Sequence, residues 1–160
     1  MSWAQIFFDD VNTTFTVASS VVYKEMPGST TFTANTGNLN VYKPEKGNAT
    51  SARFVVGNQG KGTGKVYWGA SFTGNQGNNT YHIALFRNGT KLEQTSKERK
   101  LGTAGDIGDA SGRGYAVLHT NDYIDLRVNA GGTTGVQVTL NHCNFGIDFV
   151  STSTDIGAVA

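Results

Sequence analysis

Three histidines and one cysteine are the side chains of this sequence best suited to metal binding or nucleophilic chemistry. His82, His119 and His142 do not have the short spacing of a zinc site. Cys143 follows His142 directly, and alternation along a strand sends neighbouring side chains to opposite faces. We therefore expect these histidines to be surface or interface residues, and we expect no cofactor.

The segment 105–112 is an acidic, glycine-rich stretch that contains Asp106 and Asp109. Carboxylate oxygens are the ligands that calcium prefers, so these two residues are candidate calcium ligands. The stretch lacks the full oxygen set of an EF-hand loop. A plain solvent-exposed loop is therefore the alternative interpretation.

Motifs of catalysis are missing from the sequence. It contains no Gly-x-Ser-x-Gly, no phosphate-binding loop and no His-Glu-x-x-His. The Gly-x-Gly pairs at 60–62 and 112–114 precede no predicted helix that would hold a phosphate. We expect a protein that is not an enzyme.

The charge balance excludes further classes of function. Charged residues make up 16% of the chain, and the formal net charge is +1. Nucleic-acid binding by bulk charge needs a basic surface, so we expect no nucleic-acid partner. No basic, apolar leader opens the chain and no apolar stretch is long enough for a membrane span, so we expect synthesis in a cytoplasm without a signal peptide and no membrane contact.

The elements that position these residues are strands. Apolar and polar residues alternate over 124–129, 136–141 and 144–149, the pattern of strands with one buried face. Similar runs occupy 66–72 and 81–86, and Asn88-Gly89 predicts a type I′ hairpin turn with a returning strand over 91–94. Residues 95–114 are polar and glycine-rich and predict an exposed excursion. Turns at intervals of about ten residues favour an all-β sandwich, a jelly roll of about eight to ten strands.

Four segments of the chain resemble the tumour necrosis factor and C1q-like domains. Leu118–Leu126, LHTNDYIDL, resembles their L-x-x-G-D-x-V-x-L segment, with Asn121 in place of the usual glycine. Asn144–Val150, NFGIDFV, resembles their closing strand. Gly64–Phe72 resembles their G-x-Y-x-F strand, and Leu85–Thr90 their L-x-x-N-G hairpin. The four motifs keep the order and spacing of the family over more than half of the chain.

This resemblance implies a homotrimer around a three-fold axis, lined by the face of the inner sheet that points away from the core. In this sequence that face would include the following trimer-interface residues: Tyr67, Gly69, Ser71, Asn144, Gly146 and Asp148. Small residues there would allow close approach. The alternative is that the same residues simply face water. Three copies of Asp148 near one axis would repel each other, so we expect a neighbouring Lys or Arg, or a side chain turned outward.

Three parts of the chain are distinguished by their patterns. Residues 1–30 form an N-terminal arm or first strands, 31–150 the jelly-roll domain and 151–160 a C-terminal tail. Aromatic residues dominate interface energies, so Trp3, Phe7 and Phe8 are the expected anchors of a partner-binding arm. Ordinary packing of these three on their own domain is the alternative.

Three functions are consistent with such a domain. The first is a structural virion protein on the surface of a phage or virus, a trimeric decoration or cement protein that binds the major capsid protein and stabilises the shell. The second is a receptor- or carbohydrate-binding tip of a virion, with a host surface glycan as partner. The third is a cellular TNF/C1q-like ligand or coat module. The low charge and the abundance of Gly, Thr and Asn are typical of phage surface proteins, so we expect the first.

Overall fold

The structure is a computed structural model that describes residues 3–8, 13–17, 23–25, 33–36, 42–46, 52–131 and 135–152. These residues form thirteen strands and one short 3₁₀ turn, Glu93–Thr95. The strands are β1 (Trp3–Phe8), β2 (Thr13–Val17), β3 (Lys24–Glu25), β4 (Thr33–Thr36), β5 (Tyr42–Lys46), β6 (Ala52–Val56), β7 (Gly62–Gly74), β8 (Asn79–Arg87), β9 (Thr90–Lys91), β10 (Lys97–Leu101), β11 (Ile107–Leu118), β12 (Tyr123–Asn129) and β13 (Val136–Thr152). The described residues include no helix with the length and apolarity of a membrane span.

The thirteen strands form two antiparallel sheets, of six and seven strands, and ten of them lie along the main path of their sheet. Sheet 1 has the order β11-β7-β13-β1-β4, and sheet 2 the order β10-β8-β12-β6-β5. Three short strands pair beside these paths, β2 with β13, β3 with β12 and β9 with β8. Chain neighbours are often far apart in this order, as in a jelly roll. The predicted all-β jelly roll of about eight to ten strands is therefore confirmed.

The core lies between the two sheets. Even positions of β7 and odd positions of the second half of β13 point inward from sheet 1, and the even positions of β12 meet them from sheet 2. Phe54 of sheet 2 and Phe145 of sheet 1 meet edge to face, with ring centroids 5.3 Å apart. This contact and the fully buried Ile147, Leu85 and Ile124 join the sheets. Burial of such apolar surface is the main stabilising contribution of the fold.

Residues 136–152 form one long strand rather than two. Val136, Val138 and Leu140 are buried at even positions, whereas Cys143 and Phe145 are buried at odd positions. The register with β7 shifts between Leu140 and His142, which identifies a β-bulge. A bulge inserts one extra residue and so reverses which side chains face the core. The separate runs 136–141 and 144–149 in the sequence are thus two halves of β13.

The segment after the Asn88-Gly89 turn differs from the prediction. Asn88 and Gly89 have φ of 49° and 80°, as a type I′ turn requires, but only Thr90–Lys91 pairs with β8. The chain then turns inward at Thr95, whose buried hydroxyl accepts a hydrogen bond from the Leu85 N–H at 3.0 Å. The hydroxyl occupies a place where strand pairing would otherwise continue. The predicted returning strand is therefore present only as Thr90–Lys91, and the 3₁₀ turn Glu93–Thr95 replaces the rest of the predicted range 91–94.

The predicted exposed excursion over 95–114 is also wrong. Lys97–Leu101 pairs with β8, and Ile107–Leu118 pairs with β7 along its whole length. The two strands are the edges of the two sheets on the same side of the sandwich. The predicted division into residues 1–30, 31–150 and 151–160 stays a prediction, and within the first part β1, β2 and β3 all pair with central strands.

Candidate interaction face of sheet 1

One face of sheet 1 points away from the core, and we call it the open face. Its side chains are identified by the alternation of buried and accessible positions along four strands. The open face comprises Trp3, Gln5 and Phe7 of β1; Thr63, Lys65, Tyr67, Gly69, Ser71 and Thr73 of β7; Ile107, Asp109, Ser111, Arg113, Tyr115 and Val117 of β11; and His142, Asn144, Gly146, Asp148 and Val150 of β13.

Strand register places the predicted trimer-interface residues side by side on this face. Tyr67 of β7 lies opposite Gly146 of β13, and Gly69 lies opposite Asn144. Ser71 follows on β7 and Asp148 on β13. All six residues therefore share the open face, and their role in a trimer stays a prediction.

The predicted arm lies on the same face. Trp3 and Phe7 are in β1, where they lie opposite Asp148 and Asn144 of β13. Trp3 is 40% exposed, while Phe7 is half-buried. Phe8 lies opposite Cys143, and its side chain is outside the described part of the structure. The sequence predicts the partner-binding arm and the trimer axis as two separate surfaces. The pairing of β1 with β13 joins them in one face.

The open face also holds the exposed large apolar side chains of the described residues. These are Trp3 (40% exposed), Ile107 (69%), Tyr115 (61%), Val117 (42%) and Val150 (53%). Four of them were missed by sequence reasoning. The alternation over 107–117 is the available signal, but its inward positions are Gly and Ala, which do not mark the buried face of a strand. A cluster of exposed apolar residues on one face is typical of an interaction surface.

The two glycines of this face lie beneath side chains of the same chain. A Cβ on Gly146 would lie 2.5 Å from the Tyr67 hydroxyl oxygen, and one on Gly69 would lie 2.8 Å from Oδ1 of Asn144. The Tyr67 ring and the Asn144 amide therefore lie flat across the sheet. The space above the glycines is filled from within the same chain, and these glycines make a smooth surface rather than an open gap.

Asp148 lies between a cation and a phenol. Lys65 is its register partner on β7, so the expected basic neighbour is present beside it. Burial first, and the nearby Asp148 carboxylate second, raise the pKa of the Tyr67 hydroxyl above its ordinary value. Both effects favour the neutral phenol, because ionisation would place a second negative charge beside Asp148.

The candidate calcium ligands do not converge. Asp106 lies in the turn before β11, where its Oδ2 accepts a hydrogen bond from the Thr103 N–H at 2.8 Å. Asp109 is an exposed residue of β11 itself. Within the described residues no three His, Cys, Asp or Glu side chains are grouped as metal ligands. The assignment of Asp106 and Asp109 to calcium has no support from this geometry.

The three histidines and Cys143 lie in four different places. Nδ1 of His82 lies 3.1 Å from Oε1 of Glu98, its partner across β8 and β10. His119 is in the turn before β12, and its Nδ1 lies 3.4 Å from Oδ2 of Asp122. His142 is exposed on the open face, whereas Cys143 is buried in the core. Burial raises the pKa of the Cys143 thiol to about 12, so it stays protonated and unreactive near neutral pH.

The free edge of sheet 1 is strand β11, and it is partly capped by side chains. The Gln94 amide and the Arg87 guanidinium donate hydrogen bonds to the backbone carbonyls of Tyr115 and Val117. The Trp68 indole N–H donates to the carbonyl of Thr95 at 2.9 Å and holds the 3₁₀ turn against the strand. Capping of edge carbonyls opposes uncontrolled strand addition by other chains.

Comparison with known proteins supports the fold and nothing finer. No family model and no curated protein matches the sequence. Among solved structures, the Eiger TNF of S. frugiperda is similar, with a TM-score of 0.55, 13% identity, and coverage of 97% of this chain and 96% of that chain. The globular domain of zebrafish complement 1qA protein has a TM-score of 0.50 and 11% identity, covering 96% of this chain and 100% of that one. Together with the two-sheet strand order, these likenesses show that the chain has a TNF/C1q-like jelly-roll fold.

Proposed function

We propose that the protein is a non-enzymatic module that forms a homotrimer through the open face of sheet 1. The observation that carries this proposal is the grouping of the exposed large apolar side chains on that face, from Trp3 on β1 to Tyr115 on β11. Clustered apolar surface is stabilised when a partner removes it from water.

The three-fold arrangement is supported by the fold. Contacts between unlike surfaces of identical copies close into a ring when the rotation between copies allows it. The open face offers two unlike sides, β11 at the free edge and β1 beyond β13. The resemblance of the chain to TNF and C1q-like domains implies that such a ring holds three copies.

The mass in solution tests this proposal. We expect three copies of the 17.0 kDa chain per particle in sedimentation equilibrium. Val117→Glu places a charge on the open face without removing core volume, and should yield monomers with an unchanged circular dichroism spectrum. Thr90→Glu, on exposed β9 of sheet 2, is the matched control and should remain trimeric. A monomeric wild-type protein at micromolar concentration would contradict the proposal.

We further propose that the trimer decorates a viral or phage capsid as a cement protein. It would bridge neighbouring shell subunits at a three-fold position and stabilise them by buried area rather than by chemistry. The support is compositional: a low-charge β-protein rich in Gly, Thr and Asn, with no catalytic motif in its sequence.

A receptor-binding tip is the second candidate, favoured by the exposed side chains of Arg113 and Lys97, which form no ion pair with any described residue. Particles that lack the protein distinguish the two. If the protein is cement, such particles should assemble normally but release their genome at lower temperature. If it is a tip, they should keep their thermal strength and lose attachment to cells. Full strength together with full attachment would contradict both roles.

A further inference from the structure

Asn88 and Gly89 are the only Asn-Gly pair of the sequence, and they form the tip of the hairpin between β8 and β9. Both residues are exposed. Among the described residues, a Cβ built on Gly89 would have only the Tyr123 hydroxyl within 4 Å, at 3.8 Å. The turn is therefore open to water, and glycine has no side chain to shield its backbone nitrogen.

The reaction available to an Asn-Gly pair is deamidation. The Gly89 nitrogen gives its proton to a base in the solvent, attacks Cγ of Asn88 and forms a C–N bond. The bond between Cγ and Nδ2 breaks, ammonia leaves, and a cyclic succinimide remains. Water then adds to either carbonyl of the ring and opens it to aspartate or isoaspartate. Water is the only co-reactant, and nothing is oxidised or reduced.

The Asn88 side chain is held against the start of β12 by two hydrogen bonds. Its Nδ2 donates to Oδ1 of Asp122 at 2.6 Å, and its Oδ1 accepts from the Tyr123 N–H at 2.9 Å. The Asn88 backbone N–H also donates to the Tyr123 carbonyl at 3.0 Å. Closure of the succinimide ring requires the amide to rotate toward the Gly89 nitrogen, and these bonds oppose that rotation.

Asp122 is the firmer of the two side-chain restraints. It is buried, and its Oδ2 accepts a hydrogen bond from the His119 backbone N–H at 2.8 Å. The carboxylate is thus fixed by its own turn, and its short bond to Asn88 is charge-assisted. The Tyr123 N–H has the opposite tendency, because a donor on Oδ1 polarises the amide carbonyl and makes Cγ more open to attack. Release of Nδ2 from Asp122 would therefore leave an activated amide.

We propose that Asn88 is a site of covalent modification by deamidation and that Asp122 holds this reaction back in the folded chain. The product would place a carboxylate where the Nδ2 donor now contacts the Asp122 carboxylate. Two like charges at this distance repel each other, so modification would break the link between the two turns. The site goes beyond the proposed self-association, because its residues lie in the end turns of sheet 2 and not on the open face.

The test is the rate at which Asn88 is converted in the full chain, followed by peptide mass spectrometry in mildly alkaline buffer. We expect slow conversion in the wild type. Asp122→Ala should convert about tenfold faster or more, because the reacting amide no longer has to leave a charge-assisted hydrogen bond. Unfolding in urea should bring both chains to the same high rate. An unchanged or slower rate in Asp122→Ala would overturn the proposal.

A variant destabilised elsewhere separates local protection from general stability. Gly112→Ala introduces a clash with the Thr95 carbonyl and does not touch either bond of the Asn88 side chain. Both variants are incubated under conditions where circular dichroism shows them folded. Gly112→Ala should convert Asn88 at the rate of the wild type. Equal acceleration in the two variants would overturn the role of Asp122.

The consequence of modification is tested with Asn88→Asp, which is one product of the reaction. Asn88→Gly is its matched control, because glycine also tolerates the φ of 49° at this position and removes the same side-chain bonds without adding a charge. The urea midpoint near neutral pH should be lower for Asn88→Asp than for Asn88→Gly. An equal or higher midpoint would contradict the repulsion. Sedimentation of the wild type reports the trimer separately, so failure of the trimer is distinguishable from failure of this site.

Discussion

Tyr67 is the residue at which packing and charge on the open face meet. Its hydroxyl lies over Gly146. Two residues away along the same pair of strands, Lys65 of β7 lies opposite Asp148 of β13. The phenol is thus held against the sheet by the absence of a side chain and kept neutral by burial and by a carboxylate. The phenol ring of Tyr67 thus covers the sheet at Gly146.

We predict that Tyr67 ionises above the ordinary tyrosine pKa of 10.0 and that Asp148→Asn lowers its pKa part of the way back. Burial is the larger cause and stays in the variant, so the return is incomplete. Because the folded-state pKa is raised, the stability that depends on neutral Tyr67 is present below about pH 10 and lost as pH rises through the folded-state pKa.

The measurement is an ultraviolet titration of tyrosinate, with Tyr67→Phe subtracted to isolate this residue. Asp109→Asn removes an exposed carboxylate from another strand of the same face and serves as the control. Identical titration of Tyr67 in the wild type and in Asp148→Asn would refute the role of Asp148.

Asp122 connects two turns of sheet 2. Its buried carboxylate accepts hydrogen bonds from the Asn88 amide at 2.6 Å and from the His119 backbone N–H at 2.8 Å. Asn88 in turn accepts from the Tyr123 N–H at 2.9 Å. Asn121 has φ of 70°, the left-handed conformation in which glycine, the usual residue at this position of the motif that the segment resembles, is least strained.

We predict that Asp122→Ala lowers the free energy of unfolding by about 2–3 kcal/mol, because hydrogen bonds to a charged group are lost and their donors stay partly buried. Urea unfolding followed by circular dichroism measures the change. Asp106→Ala, which removes a carboxylate bonded to one exposed N–H, should cost less than half as much. A loss for Asp122→Ala no larger than this control would show that the two turns are not coupled.

At the scale of elements, the strands that the sequence predicts differ from those that it does not predict in the size of the residues that face the core. β12 presents Ile124, Leu126 and Val128 inward, so its alternation is visible. β11 presents Gly108, Gly112 and Gly114, because the 3₁₀ turn, the Trp68 indole and the side chains of Leu101 and Gln94 occupy the space there. β10 is an edge strand whose first four residues are exposed and charged or polar. Apolar periodicity is therefore missing where small or edge residues form a strand.

The open face could be predicted only in part for the same reason. The motifs on β7 and β13 placed Tyr67 and Asp148 on one surface, because their strands alternate clearly. The sequence does not place Arg113, Tyr115 and Val117 on this face, since they belong to β11, whose inward positions are small. The pairing of β1 with both β13 and β4, which brings Trp3 to this face, is a long-range contact that no local pattern contains.

We predict that Gly112→Ala separates the 3₁₀ turn from β11 and destabilises the fold by about 1–3 kcal/mol, the usual cost of overpacking. The added Cβ would meet both the Thr95 carbonyl oxygen and the Trp68 indole nitrogen, which are joined to each other by a hydrogen bond. A blue shift or red shift of Trp68 fluorescence should accompany the loss. Ser111→Ala, the exposed neighbour on the outer side, should be close to neutral, and equal stability of the two variants would contradict this account.

At the scale of the whole molecule, the sandwich presents two unlike outer surfaces. The outer side of sheet 2 buries charged and aromatic groups: Arg127 binds Asp125 through two hydrogen bonds of 2.8 and 2.9 Å and lies 4.8 Å from the Phe86 ring centroid. Tyr23 covers the same ring, with centroids 5.0 Å apart. In the part of the chain that the structure describes, the middle of sheet 2 is thus covered by the chain's own residues, whereas the large apolar side chains of the open face stay exposed.

This asymmetry leads to a prediction about thermal stability. If the open face is covered by other copies of the chain, folding and association are linked, and the midpoint Tm of the wild type should rise with protein concentration. Val117→Glu abolishes association and should have a lower Tm that no longer depends on concentration, whereas Thr90→Glu should behave as the wild type. Differential scanning calorimetry over a hundredfold range of concentration, about 1–100 μM, measures both effects. A wild-type Tm that is constant over this range would mean that the open face is not covered by copies of this chain.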